Sequence, residues 1–147
     1  MTFLNIHQRT LAGEEQLVKA IGRHDLPVEQ VIKSDILECE PGLTVQEAAH
    51  RMSEANCSSI LVRENGQPVG IWTERDALAM DFSDAGSFSL PIREVMSSPV
   101  RTVEAGTRLR DVALRFREER VRHYLVVGPA AETMGIVSQT DGGLNQG

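Results

Sequence analysis

Apolar residues recur along this chain in two alternating rhythms, and the alternation is itself repeated. Val45, Ala48, Ala49 and Met52 fall at the i, i+3, i+4, i+7 spacing of one helix face, and Leu109, Val112, Ala113 and Phe116 do so again. After each helix come two short apolar runs split by a turn: Ile60–Arg63 with Val69–Trp72, then Tyr124–Val127 with Met134–Val137. Glu64-Asn65-Gly66-Gln67 carries hairpin chemistry between the first two runs. Before each helix lies a short extended segment, Asp35–Glu38 or Val100–Val103, then a turn at Pro41-Gly42 or Ala105-Gly106. Thr44 with Glu47 makes a capping box at the first helix start. A further helix begins at Thr73 and runs through Ala77-Leu78-Ala79-Met80.

Each unit therefore reads β-α-β-β-α, an α+β arrangement whose small sheet buries one face under helices. The two glycines Gly70 and Gly135 stand 65 residues apart, as do Asp76 and Asp141, whereas the units begin 64 apart. One residue is thus inserted near Pro129–Glu132, where a hairpin loop tolerates it. A single unit of about 60 residues buries little surface, so two are expected to pack together. Residues 28–85 form the first repeat with its linker, the polar stretch Asp81–Leu90 serving as that linker, and residues 86–147 form the second. Residues 1–27 fit neither repeat; Leu11, Leu17, Val18 and Ile21 suit a short amphipathic helix ending at Gly22. Gly142-Gly143 follows Asp141 and costs roughly 2 kcal/mol of helix propensity, so the last helix is expected to be truncated.

Length and charge narrow the function. At 147 residues there is room for one ordinary domain or two very small ones. Aromatics are 4% and net charge is −6, which disfavour base-stacking platforms and a nucleic-acid footprint. The charge is uneven: residues 86–147 hold 8 Arg and 7 acids, residues 1–85 hold 7 basic and 14 acidic residues. The arginines of the second helix interleave with Glu118 and Glu119 and read as a solvated, ion-paired face. No run approaches the ~20 apolar residues of a membrane span. MTFLNIHQR has neither the basic nor the apolar region of a secretory leader, so a cytoplasmic setting is expected, with Cys39 and Cys57 as thiols. His7, His24, His50 and His123 show no ligand spacing, and no nucleophile elbow or phosphate loop is present. No metal, catalytic cofactor or enzymatic activity is expected.

The chemistry lies in a repeated string at a strand-to-helix junction: Gly70-Ile71-Trp72-Thr73-Glu74-Arg75-Asp76 and Gly135-Ile136-Val137-Ser138-Gln139-Thr140-Asp141. Glycine lets a ligand approach the strand end, and a helix start offers free N–H groups and positive dipole. The hydroxyls of Thr73 and Ser138 suit a phosphate; the carboxylates of Asp76 and Asp141 suit the paired hydroxyls of a ribose. The same Thr-x-x-Asp is equally a helix-capping arrangement, so both readings stay open.

These strings, with Val95-Met96-Ser97-Ser98-Pro99-Val100 ahead of the second, resemble a tandem pair of cystathionine-β-synthase-type (CBS) domains over residues 28–147. The resemblance implies two repeats packed about a pseudo-twofold axis, with clefts between them that often hold adenine nucleotides. It puts the ribose aspartate at Asp76 and Asp141 and its hydroxyl partner at Thr73 and Ser138. It lines the base slots with Ser34, Asp35 and Ile36 beside Ser58, Ser59 and Ile60, and with Ser98, Pro99 and Val100 beside Arg122, His123 and Tyr124. Arg122 and His123 would neutralise phosphate where the first repeat has only Ser58 and Ser59, so the clefts are expected to differ. The implied function is regulatory sensing of AMP, ADP or ATP by a homodimer, as the sensory part of a larger bacterial signalling protein with an effector domain. A dimerising module with empty clefts, and a sensor of S-adenosylmethionine, are the alternatives.

Overall fold

The computed structural model describes residues 26–139. They divide into two compact units, one formed by Ile36–Val100, the other by 26–35 together with 101–139. The expected amphipathic helix near residues 11–21, and Thr140, Asp141 and the two glycines after them, lie outside the described residues.

In the first unit, β1 (Glu38–Cys39) runs parallel to β2 (Ser59–Glu64), and β2 pairs antiparallel with β3 (Gln67–Thr73). Helix α1 (Val45–Ala55) crosses from β1 to β2, and α2 (Glu74–Leu78) follows β3. The expected helical stripe packs as Val45, Ala48 and Met52, which bury against Ile60, Val62, Trp72 and Ile92; Ala49 stays exposed. Thr44 caps α1 by accepting from the Glu47 N–H at 3.1 Å, and Asn56 closes it in a left-handed conformation.

The second unit repeats the plan with β4 (Thr102–Glu104), α3 (Leu109–Glu119), β5 (His123–Val127) and β6 (Thr133–Ser138), in sheet order β4-β5-β6. Its core joins Leu109, Val112 and Phe116 of α3 to Tyr124, Val126 and Val137 of the sheet. Both parallel strands begin later than the sequence pattern suggests. Pairing starts where the Leu37 and Arg101 carbonyls accept from Leu61 and Leu125, so 35–36 and 100 stand before the ladder.

Each unit is completed by a segment that belongs, by sequence, to the other repeat. Val28, in a 3-10 turn over Val28–Gln30, is fully buried in the core of β4–β6. Ile92, in the matching turn Ile92–Glu94, is fully buried in the core of β1–β3. The backbone bonds are the same at both places: Leu90 O accepts from Val45 N at 2.9 Å, and Leu26 O accepts from Leu109 N at 2.8 Å. Each helix thus has its first N–H satisfied by an incoming chain, which is why α3 starts well without a side-chain cap at Arg108. The stretch Asp81–Leu90 is correspondingly built into the first unit. It forms a 3-10 turn over Ala85–Ser89, with Phe82 and Phe88 stacked at 5.0 Å between centroids.

Candidate functional site

In the first unit β3 ends at Thr73, which is buried, and the chain turns directly into α2. Thr73 Oγ1 accepts from the Asp76 N–H at 3.1 Å, and Asp76 Oδ2 accepts from the Thr73 N–H at 3.1 Å, a complete capping box. The Thr73 hydroxyl also lies 3.3 Å from Asp76 Oδ2. A third donor comes from elsewhere in the chain: Ser97 Oγ donates to Asp76 Oδ1 at 3.0 Å. Ser97 is held there by paired backbone bonds with Ile71, at 3.0 and 2.8 Å, as an extra edge beside β3. Ser59 stands opposite Thr73 in the β2–β3 register, and the Ser58 carbonyl accepts from Glu74 N at 3.0 Å. Four hydroxyl-bearing residues and one carboxylate therefore gather at this strand end.

The second unit builds the same junction from different side chains. Ser138 ends β6, is 2% exposed, and stands opposite His123. The Arg122 carbonyl accepts from Gln139 N at 3.2 Å, and Arg122 Nη1 donates to Gln139 Oε1 at 3.2 Å. The edge strand is now supplied by Lys33, whose N–H and carbonyl pair with Ile136 at 3.0 Å each. Gly135 is required for this approach: a Cβ there would meet the Lys33 carbonyl and Ile32 Cδ1, both at 2.7 Å. At Gly70 a Cβ would instead run into the flexible Met96 side chain.

The site residues read from the sequence are therefore grouped by the chain exchange. Thr73, Asp76, Ser58 and Ser59 come together in the first unit, which also holds Ile36, Ser98, Pro99 and Val100. Ser138, Arg122, His123 and Tyr124 share the second unit with the exposed Ser34 and Asp35. Asp141 lies outside the described residues. The edge residues Ser97 and Lys33 were missed by reading the motif alone. Their signal was the 64-residue offset between Val31-Ile32-Lys33 and Val95-Met96-Ser97, together with a glycine in the facing strand of each repeat.

Tyr124 sits on the core face of its sheet. It is fully buried, its ring centroid is 4.9 Å from that of Phe116, and its hydroxyl donates to Glu119 Oε1 at 2.7 Å. Burial, and then the adjacent Glu119 carboxylate, push its pKa up to about 12. The same hydrogen bond, helped by Arg115 and Arg101, holds the Glu119 carboxyl below its usual range. Burial raises the Cys39 thiol, which is free, as is Cys57. Among the described residues no group of His, Cys, Asp or Glu is gathered that could hold a metal ion, and no helix is long and apolar enough to cross a membrane.

Comparison with known proteins divides the chain by its two sequence repeats, 28–35 and 92–100 each being built into the other repeat's unit. The family model of the CBS domain matches twice, over residues 28–81 and 92–141. An uncharacterised protein of Methanopyrus kandleri is 30% identical over 116 residues, covering 78% of this chain and 59% of its own length. The CBS domain-containing protein YhcV of Bacillus subtilis is 27% identical over 119 residues, 81% of this chain and 84% of that protein. Among solved structures, a conserved CBS domain protein of Thermoplasma acidophilum superposes with a TM-score of 0.71 at 27% identity, over 83% of this chain and 70% of that one. Two family matches on a twice-built sheet and helix plan place this chain in the CBS-domain family, as a tandem pair of a domain type that is generally regulatory and ligand-binding.

Proposed function

We propose that this pair is a regulatory module that binds an adenosine-containing ligand, an adenine nucleotide (AMP, ADP or ATP) foremost, and passes the change to an attached or partner domain. The observation that carries the reading is the fixed carboxylate of Asp76. Its two oxygens are aimed by Thr73 and Ser97, and each retains acceptor capacity beyond the bonds it already makes. A ribose offers two adjacent hydroxyl donors, which suit such a carboxylate. Asp141 stands at the matching place in the second repeat. The ligand acts by favouring one of two arrangements of the module, to the extent that it binds that arrangement better. The module works in the cytoplasm, as a homodimer.

Thermal unfolding with AMP, ADP, ATP, S-adenosylmethionine, NAD and GTP tests this, repeated on Asp76→Ala and Asp141→Ala. A ligand at 100 times its Kd adds about 2.7 kcal/mol, a shift of several degrees for a chain of this size. A shift with an adenosine ligand that one aspartate change abolishes is the expected result. The absence of any shift would overturn it in favour of a structural, dimerising module. Two observations favour that second reading: the capping box at Thr73 is complete without a ligand, and Leu78, Phe82, Phe88 and Leu90 are exposed apolar side chains.

A further inference from the structure

Beside the edge strand of the first sheet lies a cavity of about 580 Å³ that shares no residue with the strand-end site. β1 is that edge strand, and its Glu38 and Cys39 line the cavity. The turn after it adds Glu40, Gly42 and Leu43, and α1 adds Arg51. Arg63 of β2 completes the lining. Its Nε donates to Glu38 Oε2 at 2.9 Å and its Nη1 to the Gly66 carbonyl at 3.1 Å, so Arg63 and Glu38 neutralise one another. Arg63 stands four residues along β2 from Ser59, the partner of Thr73, a distance of about 13 Å.

In the second unit the matching groups are engaged by their own neighbours. At the 64-residue offset Arg51 corresponds to Arg115, Ile60 to Tyr124, Ala55 to Glu119 and Arg93 to Glu29. Arg115 lies over the Tyr124 ring at 4.8 Å, pairs with Glu119 at 3.6 Å and donates to the Thr102 carbonyl at 3.3 Å. Glu29 Oε1 accepts from the Gly106 N–H at 2.7 Å. In the first unit isoleucine and alanine replace the tyrosine and the glutamate. Among the described residues Arg51 is left with Glu47 at 3.9 Å, beyond hydrogen-bond reach. Glu40 makes no ion pair or side-chain hydrogen bond among the described residues. Arg93 Nη2 lies 3.5 Å from the place a Cβ on Gly42 would take, so this turn faces a cation where the second unit has a carboxylate.

We propose that this cavity binds a free α-amino acid with an apolar side chain, its carboxylate on Arg51, its ammonium on Glu40 and its side chain against Leu43 and Cys39. A guanidinium takes a carboxylate through paired donors, and a carboxylate accepts from an ammonium. Both charges also act on one thiol: burial raises that of Cys39 most, Arg51 then lowers it and Glu40 raises it. They are near one another without pairing. A zwitterion satisfies both at once, whereas a plain anion or amine satisfies one and is repelled by the other. The volume falls in the range of small-molecule sites, roughly 300–1,000 Å³. None of this rests on the adenosine reading.

The test uses the full chain, with calorimetry and thermal shift against L-leucine and L-methionine. Two analogues each remove one charge: isocaproate is leucine without its amino group, and isoamylamine is leucine without its carboxyl. Leucine or methionine is expected to bind and raise the melting temperature, and both analogues to bind about tenfold more weakly or less. Arg51→Gln and Glu40→Gln, both at exposed positions, should each weaken binding about tenfold or more. Arg51→Lys should retain most of it, and Glu54→Gln, exposed on the same helix, should leave it unchanged. No binding of either amino acid, isocaproate binding as well as leucine, or undiminished affinity in Arg51→Gln would overturn the inference. The nucleotide panel is read separately: amino-acid binding without nucleotide binding sustains this inference and overturns the adenosine reading, and the reverse result does the opposite.

Discussion

The Ser97 hydroxyl donates to Asp76 Oδ1 at 3.0 Å, joining the segment that precedes the second repeat to the motif aspartate of the first. The other carboxylate oxygen caps α2 through the Thr73 N–H. Asp76→Ala removes both interactions and is expected to cost about 1–2 kcal/mol, lowering the melting temperature by several degrees. Ser97→Ala removes one exposed partner and should cost less than half as much. Circular-dichroism melts of both variants check this; an Asp76→Ala protein that melts with the parent would show that the cap contributes nothing.

Ile92 and Val28 test the exchange of segments. Each is fully buried in the core of the unit that its own repeat does not form. Ile92→Ala should cost about 2–5 kcal/mol and Val28→Ala somewhat less, since fewer methyl groups are removed. The chain has one Trp and one Tyr, and they fall in different cores, Trp72 with Ile92 and Tyr124 with Val28. Fluorescence of Trp72 should therefore register Ile92→Ala first, and near-ultraviolet ellipticity of Tyr124 should register Val28→Ala first. The opposite assignment would mean that each segment packs on its own repeat.

Local rules made most of the fold readable. Helical spacing marked Val45–Met52 and Leu109–Phe116, and both stripes face the cores as expected, with Ala49 the one outward member. Hairpin chemistry marked Asn65-Gly66, which turns with positive φ at both residues. What local pattern does not encode is partner choice. Val31-Ile32-Lys33 reads as an extended run, but nothing within it says which sheet edge it will join. The destination is decided by fit at the far end, where Gly135 alone admits the Lys33 carbonyl. The motif residues Thr73 and Asp76 were legible because capping is local; Ser97 and Lys33 were not, because their neighbours lie 21 and about 100 residues away.

Arg120 ends α3 in a left-handed conformation, φ 58°, at the position where Asn56 ends α1 with φ 56°. A residue with a long side chain is disfavoured there by roughly 1 kcal/mol relative to glycine, and asparagine is better tolerated. Arg120→Asn copies the first repeat and should raise the melting temperature slightly; Arg120→Gly should do as well or better, short of its greater unfolded-state entropy. A lower melting temperature for both variants would mean that the Arg120 side chain stabilises the unit by more than its backbone conformation costs.

Tyr124 and Glu119 make stability depend on pH at both ends of the scale. The tyrosine's pKa is raised from 10.0 to about 12 by burial and then by Glu119, so the folded chain keeps its proton after the unfolded chain has lost it. Its contribution is complete below pH 10 and is lost as pH rises from there through 12. Glu119 has the opposite sign. Its carboxyl is held down chiefly by the Tyr124 hydroxyl, so its contribution is present above the ordinary value of about 4.3 and fades as pH falls through the lowered one. Because Tyr124 is the sole tyrosine, phenolate absorbance near 295 nm reports it directly. The parent should titrate close to unfolding at about pH 12, whereas Glu119→Gln should titrate earlier and lose its acid-side dependence. Tyr124→Phe should lose less stability than the parent between pH 10 and 11, the remaining dependence including that of the buried Cys39 thiol, whose pKa is also raised. A parent phenol that ionises near 10 with the fold intact would show that the Tyr124–Glu119 bond does not hold in solution.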